Sequence, residues 1–329
     1  MTTAAPPTRL SRRALTLKAL TGGARGDQVF RVVLTLCALA IPALLLALLV
    51  MLIEGSAPAI AKFGVGFAFR SAWDPVKGDF GALPLIAGTL ITSFIALLVA
   101  VPLSLGVAVY LTEFAPPVIR KPIAMIIELL AAIPSVVYGM WGIFVLLPLL
   151  QRTVFPALRD VLGFLPIFRG VIYGPSMLAA SLILAIMVMP FIMSVSREVL
   201  LAVPNSQREA AMALGATRWE AVRTAIVPYA RSGIIGAIIL GLGRALGETM
   251  AVTMLIGNRH EIVASLFAPG YTMAAAVANE FREVQDALHG AALTYVALLL
   301  FTITVLVNAL ARLLIWRVSR GSTAGSPTA

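Results

Sequence analysis

Cysteine is nearly absent: Cys37 stands alone in 329 residues, so no disulfide can close within the chain. It lies in an apolar run and reads as a small packing residue. Histidine is almost as scarce, with only His260 and His289. Neither C-x-x-C nor H-E-x-x-H spacing occurs, which argues against a His/Cys metal centre. The loop G-x-x-x-x-G-K-[S/T] that cradles nucleotide phosphates is also missing. Charge is thin, at 12% of residues, where a soluble domain carries about a quarter. A chain that is 60% hydrophobic, with a mean hydropathy of +0.97, has its core in lipid.

Six apolar stretches are long enough for a hydrocarbon layer of about 30 Å, which needs about 20 helical residues. They cover 32–53, 83–110, 123–150, 177–194, 232–257 and 291–316. None alternates as a strand does, so the fold class expected is an all-α membrane protein of six transmembrane helices. Pro102 and Pro134 are expected to kink the second and third spans. The first run is too long for the apolar part of a cleaved signal peptide and reads as a retained span. Residues 1–31 form a basic tail, expected to be disordered; 32–320 form the membrane domain, and 321–329 a second tail.

The net charge of +10 points to orientation in a membrane rather than to nucleic acid. With the N-terminus inside, the inner segments hold six, two, five and three lysines and arginines, and the outer ones three, three and two. The bias places both termini and the stretch 195–231 in the cytoplasm.

That stretch reads SREVLLAVPNSQREAAMALGATRWEAVRTAIVPYARSG. Ser206 with Glu209, and Thr217 with Glu220, have the spacing of capping boxes. Gly215 between them suits a left-handed helix end, and Pro204 and Pro228 bracket the whole. Two short helices with a sharp turn are expected, with Ala210, Ala211 and Ala213 letting a partner surface come close. Spacing alone fits an ordinary amphipathic connector equally well. The residues resemble the EAA loop of ABC importer permeases, with Glu209, Ala210, Ala211, Gly215 and Pro228 in the motif positions. Ala225 and Val227 depart from it in its tail, where Ile and Leu are usual. The resemblance implies a type I ABC importer transmembrane domain whose loop 205–228 docks on a separate cytoplasmic ATPase dimer, which would bind ATP and Mg. No cofactor is expected on this chain.

The run GLGRALGETMAVTMLIG, 241–257, sets Arg244 and Glu248 inside the fifth span. Arginine at mid-membrane costs about 2.5 to 3.5 kcal/mol on insertion scales. Glu248 follows one helical turn later, in the less favourable order for a helical pair. Gly241, Gly243 and Gly247 permit close approach. Two readings stay open: a structural ion pair, or a water-filled path in which the guanidinium meets an oxyanion and Glu248 keeps that anion from resting too stably.

GLGRALGETMAVTMLIGN, SLFAPGYTMAAAVANEF and ELLAAIPSVVYGMWG are similar to the phosphate ABC importer permeases of the PstC type, from about the second span to the end. The resemblance implies phosphate passage by Arg244 and Glu248 in a bacterial inner membrane. It also implies a second, PstA-type permease, the ATPase pair and an external phosphate-binding protein as partners, besides lipid. A permease for sulfate or molybdate is the nearest alternative. An intramembrane enzyme would need a Ser/His or Asp/Asp constellation that the spans lack, and a non-transporting sensory subunit is a third possibility.

Three further polar residues are candidates for the path. Glu128 pairs with a neighbouring helix or faces the path, and Ser135 and Tyr138 offer hydroxyls to an anion or to the core. The outer loop 257–290 is expected to form a surface cap or a shallow re-entrant helix. Asp74, Lys77 and Asp79 read as a solvated face.

Overall fold

The computed structural model describes residues 9–323, with the side chains of 26–313. The chain divides into two units after Glu54. Helix α1 (Arg9–Phe63) begins well before the disorder expected over 1–31 was to end. No proline follows Pro7 until Pro42, and Ala, Leu, Lys and Arg, all good helix formers, dominate between. Residues 1–8 and 324–329 lie outside the described part.

The second unit carries the end of α1, a short 3-10 turn and then a small antiparallel hairpin, β1 (Trp73–Asp74) against β2 (Asp79–Phe80), with Trp73 opposite Phe80. Helix α2 (Leu83–Val109) keeps Pro102 within it and leaves through a π-helical turn, Tyr110–Phe114. After α3 (Pro117–Ala131) the chain breaks. It then climbs through α4 (Ser135–Trp141), α5 (Leu147–Leu149) and α6 (Phe155–Leu162), joined by π turns. Helix α7 (Met177–Leu201) is capped by Ser176, whose hydroxyl accepts from the Ala179 N–H at 3.2 Å. Then follow α8 (Asn205–Ala213), α9 (Arg218–Ala221), α10 (Val227–Leu246), α11 (Met250–Ile256), α12 (Met273–Glu280) and α13 (Ala287–Thr323).

Among the described residues six segments are long and apolar enough to cross a membrane: Gly26–Phe69, Leu83–Phe114, Ser135–Leu162, Met177–Leu201, Arg218–Leu246 and Ala287–Leu313. The fold is therefore the expected helical membrane bundle, with two spans displaced. The third starts at Ser135 rather than 123. Pro134 lacks an N–H and pushes its predecessor out of the helical region, so the chain breaks where a kink was expected. The fifth ends at Leu246 rather than 257, because Gly247 terminates α10 and a second helix starts only at Met250.

Helix α7 is the axis of the bundle and packs most extensively on α2, then on α10, α11 and α3. Its Ile183, Leu184 and Val188 meet Ala96 and Ala100 of α2 and Leu255 of α11 in a central core. At the α8 end, Leu200, Ile127, Leu111 and Ile226 form a second core. At the hairpin end, Phe67, Phe80, Tyr271 and Tyr295 form a third, with the Phe67 and Tyr295 rings stacked at 4.6 Å. The 257–290 segment contributes to that third core, with Ala274, Ala275 and Ala276 buried, so it is a packed cap.

The cap is seated on α2. The Met273 N–H donates to Thr89 Oγ1 at 2.9 Å, and a Cβ added at Gly88 would collide with the Tyr271 carbonyl. Gly88→Ala is expected to lower the thermal midpoint of the detergent-purified protein, with overpacking costing about 1–3 kcal/mol. Gly236→Ala, where an added Cβ meets nothing within 4 Å, is the control expected to leave the midpoint unchanged or raise it.

Candidate functional site

The two breaks in the bundle lie side by side. Helices α4 and α11 run in parallel contact, because Gly139 lets the Ala251 backbone approach and Gly142 receives Leu255. An added Cβ at Gly139 would stand 3.1 Å from Ala251 Cα. Counting back from that contact, Ser135 at the start of α4 comes level with Glu248 just ahead of α11. The residues at the two breaks therefore share one depth. Tyr138 is buried, and its hydroxyl donates to the Leu130 carbonyl across the first break at 2.9 Å.

At the second break the expected one-turn pairing of Arg244 with Glu248 is not what forms. The helix carrying Arg244 has ended, and Glu248 turns forward to accept from the Ala251 N–H at 3.2 Å. Arg244 sits in the last turn of α10, exposed, with no ion pair among the described residues. Its guanidinium lies 6.0 Å from the Phe191 ring centroid, near the middle of α7. It is also within electrostatic reach of Tyr138. Arg244, Tyr138 and Phe191 thus converge at mid-bundle, with Ser135 and Glu248 at the same level.

Glu128 is not with them. It lies on α3, outside the third span, exposed, with Arg197 Nη1 of α7 at 3.9 Å. Placing it in the third span followed from reading 123–150 as one helix; the break at Pro134 puts it on the α8 side instead.

At the α8 end the loop 205–228 has one capping box. Thr217 and Glu220 form it, the Thr217 N–H donating to Glu220 Oε2 at 2.7 Å. This bond from the Thr217 backbone, with that from its hydroxyl, holds the Glu220 carboxyl below its usual range. The expected Ser206/Glu209 box does not form, since α8 starts at Asn205 directly after Pro204 and has no side-chain cap. Gly215 adopts the expected left-handed conformation, φ +84°. Glu209, Ala210 and Gly215 are exposed and Ala211 half-buried, and Leu214 is 90% exposed, so the loop presents small and apolar groups outward.

Two clusters were not anticipated from sequence. Arg208 of α8 binds Glu113, which lies 95 residues earlier in the chain, Nη2 to Oε1 at 2.9 Å. At the hairpin end, Trp73, His260, Tyr271, Glu280 and His289 line an open polar cavity of about 570 Å³. The Trp73 indole N–H donates to Glu280 Oε2 at 2.8 Å, and His260 Nε2 stands 3.1 Å from Oε1. His289 Nε2 is 3.7 Å from the same carboxylate. Scarcity of histidine was the one sequence signal available, since both histidines meet here.

Burial pushes the Glu280 carboxyl up. The adjoining His260, the Trp73 indole and His289 outweigh burial and hold it below the usual carboxylate range. Its contribution to cap stability is thus present above the ordinary glutamate value and lost as pH falls through the lowered one. Limited proteolysis of the cap is expected to accelerate only in acid below the ordinary glutamate range. Glu280→Ala, which strips the indole of its acceptor and both imidazoles of the adjoining carboxylate, is expected to be cut faster at neutral pH.

A family model described as "binding-protein-dependent transport system inner membrane component" matches residues 100–320. A phosphate transport system permease protein PstC of Haemophilus influenzae is 48% identical over 298 residues, covering 89% of this chain and 94% of its own. The protein of the same name from Mesorhizobium japonicum is 45% identical, with 96% of each covered. A bacterial alginate ABC transporter solved with its substrate-bound periplasmic protein shares the fold, at a TM-score of 0.59 and 16% identity over 89% of this chain and 95% of that one. A chain of the MetNI methionine ABC transporter does so at 0.51 and 20%, over 72% and 94%. With a bundle of ABC importer architecture and near full-length likeness to PstC proteins, the chain belongs to the PstC family of binding-protein-dependent inner-membrane permeases.

Proposed function

We propose that this chain is a transmembrane subunit of an ATP-driven inorganic phosphate importer, forming part of the path at Arg244. The relatives' names supply the substrate. The observation that carries the site is an exposed guanidinium, without an ion pair among the described residues, at the end of a helix broken inside the membrane domain. Its paired donors match a phosphate edge. The long helix beginning at Ser135 adds its N-terminal end at the same depth, which favours negative charge.

Glu248 has a different role from a resting counter-ion. Its carboxylate occupies the start of α11. A second anion arriving at Arg244 therefore meets a fixed negative neighbour and is held weakly enough to leave. Ser135 is the hydroxyl donor left at this level, since the Tyr138 hydroxyl already donates to the Leu130 carbonyl, whereas Glu128 serves the α3–α7 contact.

With both termini cytoplasmic, α8 and α9 face the cell interior and dock on a separate ATPase dimer, which holds ATP and Mg. A PstA-type permease completes the bundle, and an external phosphate-binding protein delivers the anion at the hairpin end. The relatives named above are phosphate permeases, which favours phosphate over sulfate or molybdate.

Arg244→Ala is expected to cut phosphate uptake by about 10–100-fold, as loss of a charge-assisted pair of about 1.5–3 kcal/mol requires. Arg244→Lys is expected to fall between. Uptake by the parent that is blocked by sulfate and not by unlabelled phosphate would contradict the substrate.

The dock is tested separately by Gly215→Val. It forces a branched residue into the left-handed region at about 1–2 kcal/mol, with open space around it. Uptake is expected to collapse while membrane insertion, read by protease-protected fragments, is retained.

A further inference from the structure

We propose that Arg208 is the positioning residue through which displacement of α8 reaches the membrane helices, acting with Glu113 as a clamp. The inference rests on the reading of 205–228 as an ATPase dock and adds how movement leaves it. No residue of α8 is buried, so the helix has little apolar anchorage of its own. Arg208 supplies the anchorage. Its Nη2 donates to Glu113 Oε1 at 2.9 Å, and its Nε lies 3.2 and 3.3 Å from the two carboxylate oxygens. The same Nη2 donates to the Leu200 carbonyl at 2.9 Å, and Nη1 to the Val203 carbonyl and to Asn205 Oδ1. Both charged side chains are largely enclosed, at 21% and 12% exposure.

The partners decide what the clamp can do. Leu200 lies in the last turn of α7, whose closing carbonyls lack helical partners and suit a cation. Glu113 lies in the π turn that ends α2, and the segment following α9 also opens with a π turn, Val222–Ile226. Such turns hold an extra residue in the ladder and let a helix shift locally without breaking. One guanidinium therefore ties the exposed α8 to the two helices with the largest mutual contact. One of them, α7, carries Phe191 beside Arg244. A planar fork can pull on both at once; a point charge on a flexible stem cannot.

The test uses the complete transporter, reconstituted in liposomes with its ATPase and solute-binding protein. The readouts are phosphate imported per ATP hydrolysed and ATPase retained on purification. Arg208→Lys and Glu113→Gln are expected to keep the ATPase bound and hydrolysing near the parent rate. Phosphate imported per ATP should fall about tenfold, within the range typical of coupling free energies. The double variant should be no worse than either single one, since both remove one clamp.

Multiplying effects in the double variant, or loss of the ATPase from the complex in both single variants, would overturn the proposal and leave Arg208 a folding residue of the loop. Unchanged import per ATP in both single variants, with Gly215→Val still inactive, would sink the clamp and spare the dock. Normal uptake in Gly215→Val as well would sink the dock itself.

Discussion

A helix inside a hydrocarbon layer satisfies its own backbone, and breaking it exposes N–H and C=O groups that lipid cannot bond. This chain breaks two helices within its bundle, after Ala131 and after Leu246. Each break is tolerated because side chains take over part of the lost bonding. The Tyr138 hydroxyl reaches back to the Leu130 carbonyl, and the Glu248 carboxylate receives the Ala251 N–H. The break also explains the order of the charges. Arginine before glutamate is unfavourable along one continuous helix, but across a break it sets the cation at a C-terminal end and the anion at an N-terminal start, where both macrodipoles favour them.

The rest of the unit from Gly55 onward is arranged to hold those breaks at one depth. Gly139 and Gly142 bring α4 against α11, and α7 runs past both. The cap closes the hairpin end through Thr89 and the Met273 amide, and Trp73 reaches across it to Glu280. At the opposite end α8 has no comparable core. It is tied by polar bonds to two long helices and otherwise faces outward. The bundle is thus densely packed around α7 and lightly attached at α8.

What sequence could reveal follows from how local each signal is. Apolar runs report their own burial, so six spans were readable. Gly215 and the Thr217–Glu220 box were readable because a left-handed residue and a cap are set within a few positions. Hydropathy runs unbroken through Pro134 and Gly247, so the third and fifth spans were drawn across gaps, and Glu128 and the Arg244–Glu248 turn were misplaced with them. Ser206 and Glu209 have capping-box spacing, but Pro204 starts the helix at Asn205 and the register misses. The Arg208–Glu113 bond and the Trp73, His260, Glu280 and His289 cluster join segments far apart in sequence, which no periodicity can announce.

The state of Arg244 limits what surrounds its open side. Facing lipid at mid-depth it would cost about 2.5 to 3.5 kcal/mol, and more if the side chain could not snorkel. The Phe191 ring at 6.0 Å, beside an exposed guanidinium, offsets about 0.5–1 kcal/mol of that, and the C-terminal end of α10 a further few tenths to one. Had Glu248 been its partner the account would close within the chain, but that carboxylate is committed to α11. The shortfall requires water, an anion or a polar group of another chain on the exposed side of Arg244. A lipid-facing role is therefore the one energetically disfavoured, and a water-filled or polar environment is the one the exposed side of α10 requires.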